Sequence, residues 1–138
     1  MFKRLPDWNS RLHAYIDKVR PLPYEEGVHD CALFGAGVVE AETGEDPAKD
    51  LRGYKTIQEG LKKLIKIGHH NHVDLAASLF DEISPVEASI GDLVAFEVDD
   101  PLGWALGVSG GERSHVLRPV GLGTLDTFAA KRAFRIPS

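Results

Sequence analysis

The sequence predicts an α+β domain in which helices come first and strands second. Three observations carry this reading. Apolar residues recur at helical spacing from Trp8 to about Phe80. Beyond Pro85 they shorten into brief runs of β-forming residues, and glycines break those runs at Gly103, Gly110-Gly111 and Gly121 to Gly123. Helical and strand segments kept apart in this way point to helices packed on one antiparallel sheet. At 138 residues the chain has the length of one domain with one core, with a helical part at about 7–84 and a sheet part at about 90–137.

The first helix starts at Trp8. Leu12, Tyr15, Ile16 and Val19 continue its apolar face, Asp7 is placed to cap it and Pro21 to stop it. Pro21 to Gly27 then reads as an extended loop, because Pro21 and Pro23 lack donors and restrict the residues before them. The second helix runs from Cys31, capped by Asp30, to a left-handed close at Gly44. It is uncharged from Cys31 to Val39 and so is expected to be buried nearly all round. Gly35 and Gly37 each cost about 1 kcal/mol against alanine in a helix, which predicts another backbone, such as a strand, packed against this face.

A polar connection covers Asp46 to Tyr54. Ile57, Leu61, Leu64 and Ile65 then mark an amphipathic helix ending at Gly68, and a short helix is predicted over Val73–Phe80. The expected strands are Leu93–Val98, Leu106–Ser109, Ser114–Val120 and Ala133–Ile136.

Composition excludes several function classes. The chain is 43% hydrophobic and 27% charged with net charge −5, and its Lys and Arg residues are scattered, which disfavours nucleic-acid binding. A single cysteine cannot form an internal disulfide or a multi-cysteine zinc site. No apolar run reaches the roughly 20 residues of a membrane span, and Met1 to Trp8 lacks the apolar core of a secretory signal. No membrane insertion and no cofactor is expected.

Cys31 stands where candidate chemistry begins. A thiol in the first turn of a helix meets unsatisfied N–H groups and the positive end of the macrodipole, both of which stabilise a thiolate. His29-Asp30-Cys31 holds the residue types of base, acid and nucleophile, although a working base usually arrives from elsewhere in the chain. The same string also reads as a loop histidine, a cap and a small buried hydrophobe.

Asp30-Cys-Ala-Leu-Phe34 opening a buried helix, followed about sixty residues later by Gly91-Asp-Leu-Val-Ala-Phe96 opening a sheet, resembles the NlpC-type cell-wall peptidases, a branch of the papain-like fold. The likeness spans roughly residues 27–120. Together with Trp8, Thr43-Gly-Glu-Asp-Pro47, Arg52-Gly-Tyr54 and Leu106-Gly-Val108, the ordered set also resembles a group of phage and prophage tail-region proteins. The resemblance implies a papain-like topology with a barrel-like sheet, and Cys31 as nucleophile. In NlpC-type enzymes the base opens a later strand as His-Val-Gly-Ile, and a third polar residue follows some ten positions on. Laid on Leu106-Gly-Val108, that base position falls on Ala105, beside Trp104, while His115 falls near the third position. Neither Ala105 nor Trp104 can take a proton from a thiol.

Two function classes follow. One is a structural component of a phage tail tip or baseplate, built on an incomplete peptidase site and acting through contacts with other tail proteins, in the virion or, before assembly, in the host cytoplasm. The other is an active cysteine peptidase or amidase opening peptidoglycan peptides, with Cys31 as nucleophile, His115 or His29 as base and first-turn N–H groups as oxyanion hole.

Other clusters are less pointed. His69, His70 and His72 suit zinc, copper or nickel in ligand type, but no cysteine and no carboxylate beyond Asp74 stands at ligand spacing, so structural or solvent roles are expected and no metal. Asp99-Asp100-Pro101 reads as a cation ligand or a turn before proline. Trp8 and Trp104 read as core or interface anchors, with Trp104 lying over the thiol.

Overall fold

The computed structural model describes residues 2–99 and 102–138. Four α-helices come first, α1 (Trp8–Val19), α2 (Cys31–Thr43), α3 (Ile57–Lys66) and α4 (His72–Leu79). They are followed by β1 (Asp81–Ile83), β2 (Leu93–Glu97), β3 (Trp104–Ser109), β4 (Arg113–Arg118), β5 (Gly121–Asp126) and β6 (Arg132–Arg135). The strands form one antiparallel sheet in the order β1-β6-β2-β3-β4-β5. The chain is therefore α+β, with helices preceding the sheet. No described helix is long and apolar enough to cross a membrane.

The expected caps of α2 are in place. Asp30 accepts from the Leu33 N–H at 2.9 Å, and Gly44 closes the helix at φ +80°. Asp7 precedes α1, but its side chain makes no capping bond. α2 is buried on almost every side because two layers meet on it. Tyr15 of α1 stacks on Phe34 at 5.9 Å between centroids. On the other side a Cβ at Gly35 would stand 2.5 Å from Leu106 Cδ2 of β3. The Gly37 face is filled by the Tyr15 hydroxyl end. Close approach is thus the reason for both glycines, but side chains rather than a second backbone occupy the space.

The sheet is buried on both faces. Leu93, Ala95, Leu106, Val108, Leu117 and Phe134 point into the helical core, while Val94, Phe96, Ala105, Val116 and Ala133 form a second apolar cluster on the far side. This explains why β2 reads as a continuous apolar run instead of an alternating one.

Strand assignments differ from the sequence expectation most at three places, and β4 also ends two residues early, at Arg118 instead of Val120. β1 lies within the part expected to be helical, held by pairing of Glu82 with Phe134. β5 runs through Gly121 to Gly123, expected as a break, because β4 supplies its register from Arg118↔Gly121 to Arg113↔Asp126. β3 begins two residues early, at Trp104, paired with Glu97. Asp100 and Pro101 of the expected acidic turn lie outside the described residues.

Gly91 and Asp92 form the hinge into β2. Gly91 has φ +92°, and a Cβ there would meet Trp8 at 2.6 Å, Arg4 Nη2 at 2.8 Å and Glu42 Oε1 at 3.0 Å. Asp92 accepts from Ser89 N–H at 2.9 Å and from Arg4 Nη2 at 3.2 Å. A Gly91→Ala variant combines left-handed strain with overpacking, so a loss of about 1–3 kcal/mol is expected. Denaturant unfolding measures it, and a change within about 0.5 kcal/mol would remove this account of the glycine.

Candidate functional site

Cys31 is the first residue of α2 and only 4% exposed. What fixes it there is Asp30, fully buried, which takes three donors. Besides the Leu33 N–H, its Oδ2 accepts from Gly27 N–H at 2.9 Å and from the Tyr54 hydroxyl at 2.6 Å. Burial, then Asp30 itself, push the Tyr54 hydroxyl far above its ordinary range, so it remains a donor. Asp30 is committed to holding the helix start.

Two polar groups of the described residues lie at the long end of hydrogen-bond range from the sulfur. His72 Nε2 and the Trp104 carbonyl oxygen each stand 4.0 Å from Sγ. The second confirms that β3 enters the sheet beside the thiol, with Trp104 half-buried and packed on the core. Its backbone rather than its ring is what reaches the sulfur. Ala105 follows, buried in the far cluster.

His72 is positioned by the start of α4. Asn71 caps that helix through Asp74 N–H at 2.8 Å, and Asp74 Oδ2 reaches back to the His70 N–H at 3.0 Å, a reciprocal arrangement of capping-box type. That donor, with the nearby histidines, holds the Asp74 carboxyl below its usual range. The histidine cluster is therefore divided. His69 Nδ1 faces Asp74 at 3.6 Å, His70 is exposed, and His72, 6% exposed, turns inward to Cys31. No group of three or more potential metal ligands occurs among the described residues.

Of the two histidines expected at the site, His115 lies along β4 and His29 in the turn immediately before Cys31. His115 lies opposite Val108 on β3, four residues along from Trp104, or roughly 13 Å at strand rise. Its ring borders Gly110, its Nδ1 is buried without a hydrogen bond, and burial, then Arg20 and His13 near α1, hold its pKa below the ordinary value. His29 sits in the turn before α2, where its backbone bridges to Glu25, its Nε2 is buried and unbonded, and burial outweighs Asp30 in lowering its pKa. Both favour the neutral imidazole. The histidine brought to the sulfur is His72, which the spacing of residue types alone does not single out.

Residues 3–136 match a family described as a domain of unknown function, DUF6950. The chain belongs to that family. No curated protein matches it. In this DUF6950 domain the first turn of α2 also offers a donor. Asp30 takes the Leu33 N–H through its side chain and the Phe34 N–H through its carbonyl. The Ala32 N–H, one residue on from Cys31 in the same turn, is given no acceptor by the described residues. Thiol, imidazole and helix-start N–H are the three groups that acyl transfer through sulfur requires.

Proposed function

We propose that Cys31 and His72 form a thiol acyl-transfer centre on a papain-like, NlpC-type fold. The observation that carries this is the 4.0 Å separation of Sγ and Nε2, a distance that tightens on substrate binding in many such sites. The thiol proton passes to His72 Nε2 as sulfur attacks a carbonyl carbon. The oxyanion faces the helix start, His72 returns the proton to the leaving group, and water then hydrolyses the thioester. The topology supports the reading: a buried helix headed by the cysteine, then Gly91-Asp92 opening β2, and β3 starting beside the sulfur. His72 takes the role that Ala105 leaves vacant, from a helix instead of a strand.

A second reading is a structural phage tail component built on the same fold and acting through contacts with other tail proteins. Ala105 at the expected base position and the low exposure of Cys31 and His72 favour it.

Incubation with p-nitrophenyl acetate separates the two. Release of nitrophenolate with transient acetylation of Cys31, both lost in Cys31→Ala, is the expected result. No Cys31-dependent release returns the chain to the structural reading. Zymography on purified peptidoglycan then asks whether wall peptides are the amide substrate that the resemblance implies. Clearing by wild type alone supports them, and no clearing removes them as substrate.

A further inference from the structure

Two segments distant from the helix interior converge on Asp30, the residue before the thiol. Gly27 N–H donates to Oδ2 from the loop before α2 at 2.9 Å, and the Tyr54 hydroxyl donates to the same oxygen at 2.6 Å from the connection before α3. Two glycines admit Tyr54 to this position. Gly27, at φ +80°, lies so close that a Cβ there would collide with the Tyr54 carbonyl. Gly60 of α3 lies against the ring, where a Cβ would stand 3.1 Å from three of its carbons. Tyr54 is buried, and its ring packs in one cluster with Leu33 and Ala36 of α2. A tyrosine held this closely on both sides delivers its hydroxyl to one atom.

We propose that Tyr54 is a positioning residue for Cys31: its hydroxyl, acting through Asp30, fixes the first turn of α2 and takes up carboxylate charge that would otherwise oppose a thiolate on the next residue. The proposal rests on the Cys31–His72 reading, because it concerns how that sulfur becomes reactive. A like charge nearby disfavours a thiolate, and burial strengthens the effect because little water screens it. Asp30 is fully buried, so its charge is balanced by its donors. Two of these are backbone N–H groups, and the third, Tyr54, makes the shortest bond, in the range of charge-assisted O–H···O⁻ contacts. Burial and Asp30 hold the Tyr54 hydroxyl far above its ordinary range, so it stays a donor while a thiol ionises. The other titratable groups at this end of α2 are His72 from α4, His29 in the preceding turn, and Tyr24, whose charge, like that of the thiol, acts on Tyr54.

The pH profile of Cys31 alkylation by iodoacetamide tests this in wild type, Tyr54→Phe, Asp30→Asn and the double variant, each checked for fold by circular dichroism. Phenylalanine keeps the ring between the two glycines and removes only the hydroxyl, while asparagine keeps a capping oxygen for the Leu33 N–H and removes the charge. Tyr54→Phe is expected to move the profile to higher pH by about half to one unit, a three- to tenfold loss at pH 7 that disappears at high pH. Cys31-dependent nitrophenolate release should fall in the same proportion. With Asp30→Asn the charge is gone, so adding Tyr54→Phe should leave the profile within about 0.2 unit. An unmoved profile in Tyr54→Phe overturns the proposal even where release falls, since that result marks packing alone. An equal displacement in both backgrounds overturns it too, because the hydroxyl then acts without Asp30. If wild type gives no Cys31-dependent release while Tyr54→Phe still displaces the profile, the catalytic reading fails and the link from Tyr54 to the thiol stands.

Discussion

Replacement of His72 by alanine is expected to lower Cys31-dependent ester hydrolysis by about 10²–10⁴, the usual contribution of a general base. His115→Ala and His29→Ala are expected to stay within about twofold of wild type. The contrast follows from geometry. His72 Nε2 is 4.0 Å from the sulfur, whereas His115 belongs to a strand position opposite Val108 and His29 to the turn before α2. Because a histidine 6% exposed also packs, the rate must be paired with a measurement that packing alone would not move. The pH profile of Cys31 alkylation by iodoacetamide serves this purpose, since the thiolate is the reacting form. Wild-type and His72→Ala profiles should be displaced from one another, and His72→Gln, which keeps most of the volume, should follow alanine. Superposable profiles in all three would sink the pairing, and an effect of His115→Ala equal to that of His72→Ala would reassign the base.

Much of this site is legible in the sequence, and the part that is not has a definite cause. Asp30, the uncharged stretch after it and Gly44 specify α2 by local rules, because capping and a left-handed close need only neighbours in sequence. Placing Cys31 in a first turn follows at once. That Ala105 falls at the base position is what the NlpC-type resemblance implies when it is laid on Leu106-Gly-Val108. His72 is different. Its approach to Cys31 joins the first turns of two helices 41 residues apart, and no periodicity relates them. The one local signal is Asn71 with Asp74, a cap that starts a helix inside the histidine cluster and so separates His72 from His69 and His70. β1 and β5 escape the sequence for a related reason. A three-residue strand and a glycine-rich edge strand have no apolar alternation of their own, and their register comes from β6 and β4.

The largest pH effect on stability is expected from Glu42, at the opposite end of α2. Its carboxylate is fully buried. Oε1 accepts from Arg4 Nε at 2.8 Å, while Oε2 has no hydrogen bond. Burial raises its pKa from 4.5 to about 7, outweighing the hydrogen bond and charge of Arg4, with Asp92 adding to the rise. The folded pKa lies above the unfolded one, so unfolding releases a proton between the two. The contribution of Glu42 is thus fully present below about pH 4.5 and lost as pH rises through about 7, a difference of about 3 kcal/mol. His29 and His115, both held below the ordinary histidine value, act in the opposite sense, because the unfolded chain takes up their protons as pH falls. Wild-type stability alone therefore mixes the two trends, and the comparison with Glu42→Gln isolates one. From pH 5 to 8 the variant should gain about 2.5 kcal/mol relative to wild type in denaturant unfolding, whereas curves that stay parallel would show the buried carboxyl titrating normally. Cys31 and Glu42 are eleven residues apart on one helix, about 17 Å at 1.5 Å per residue. Arg4 binds Glu42 and Asp92 together, so this end of the helix clamps the N-terminal segment to the entry of β2. Glu42→Gln should accordingly shift the stability curve and leave the pH profile of Cys31 alkylation where it is in wild type.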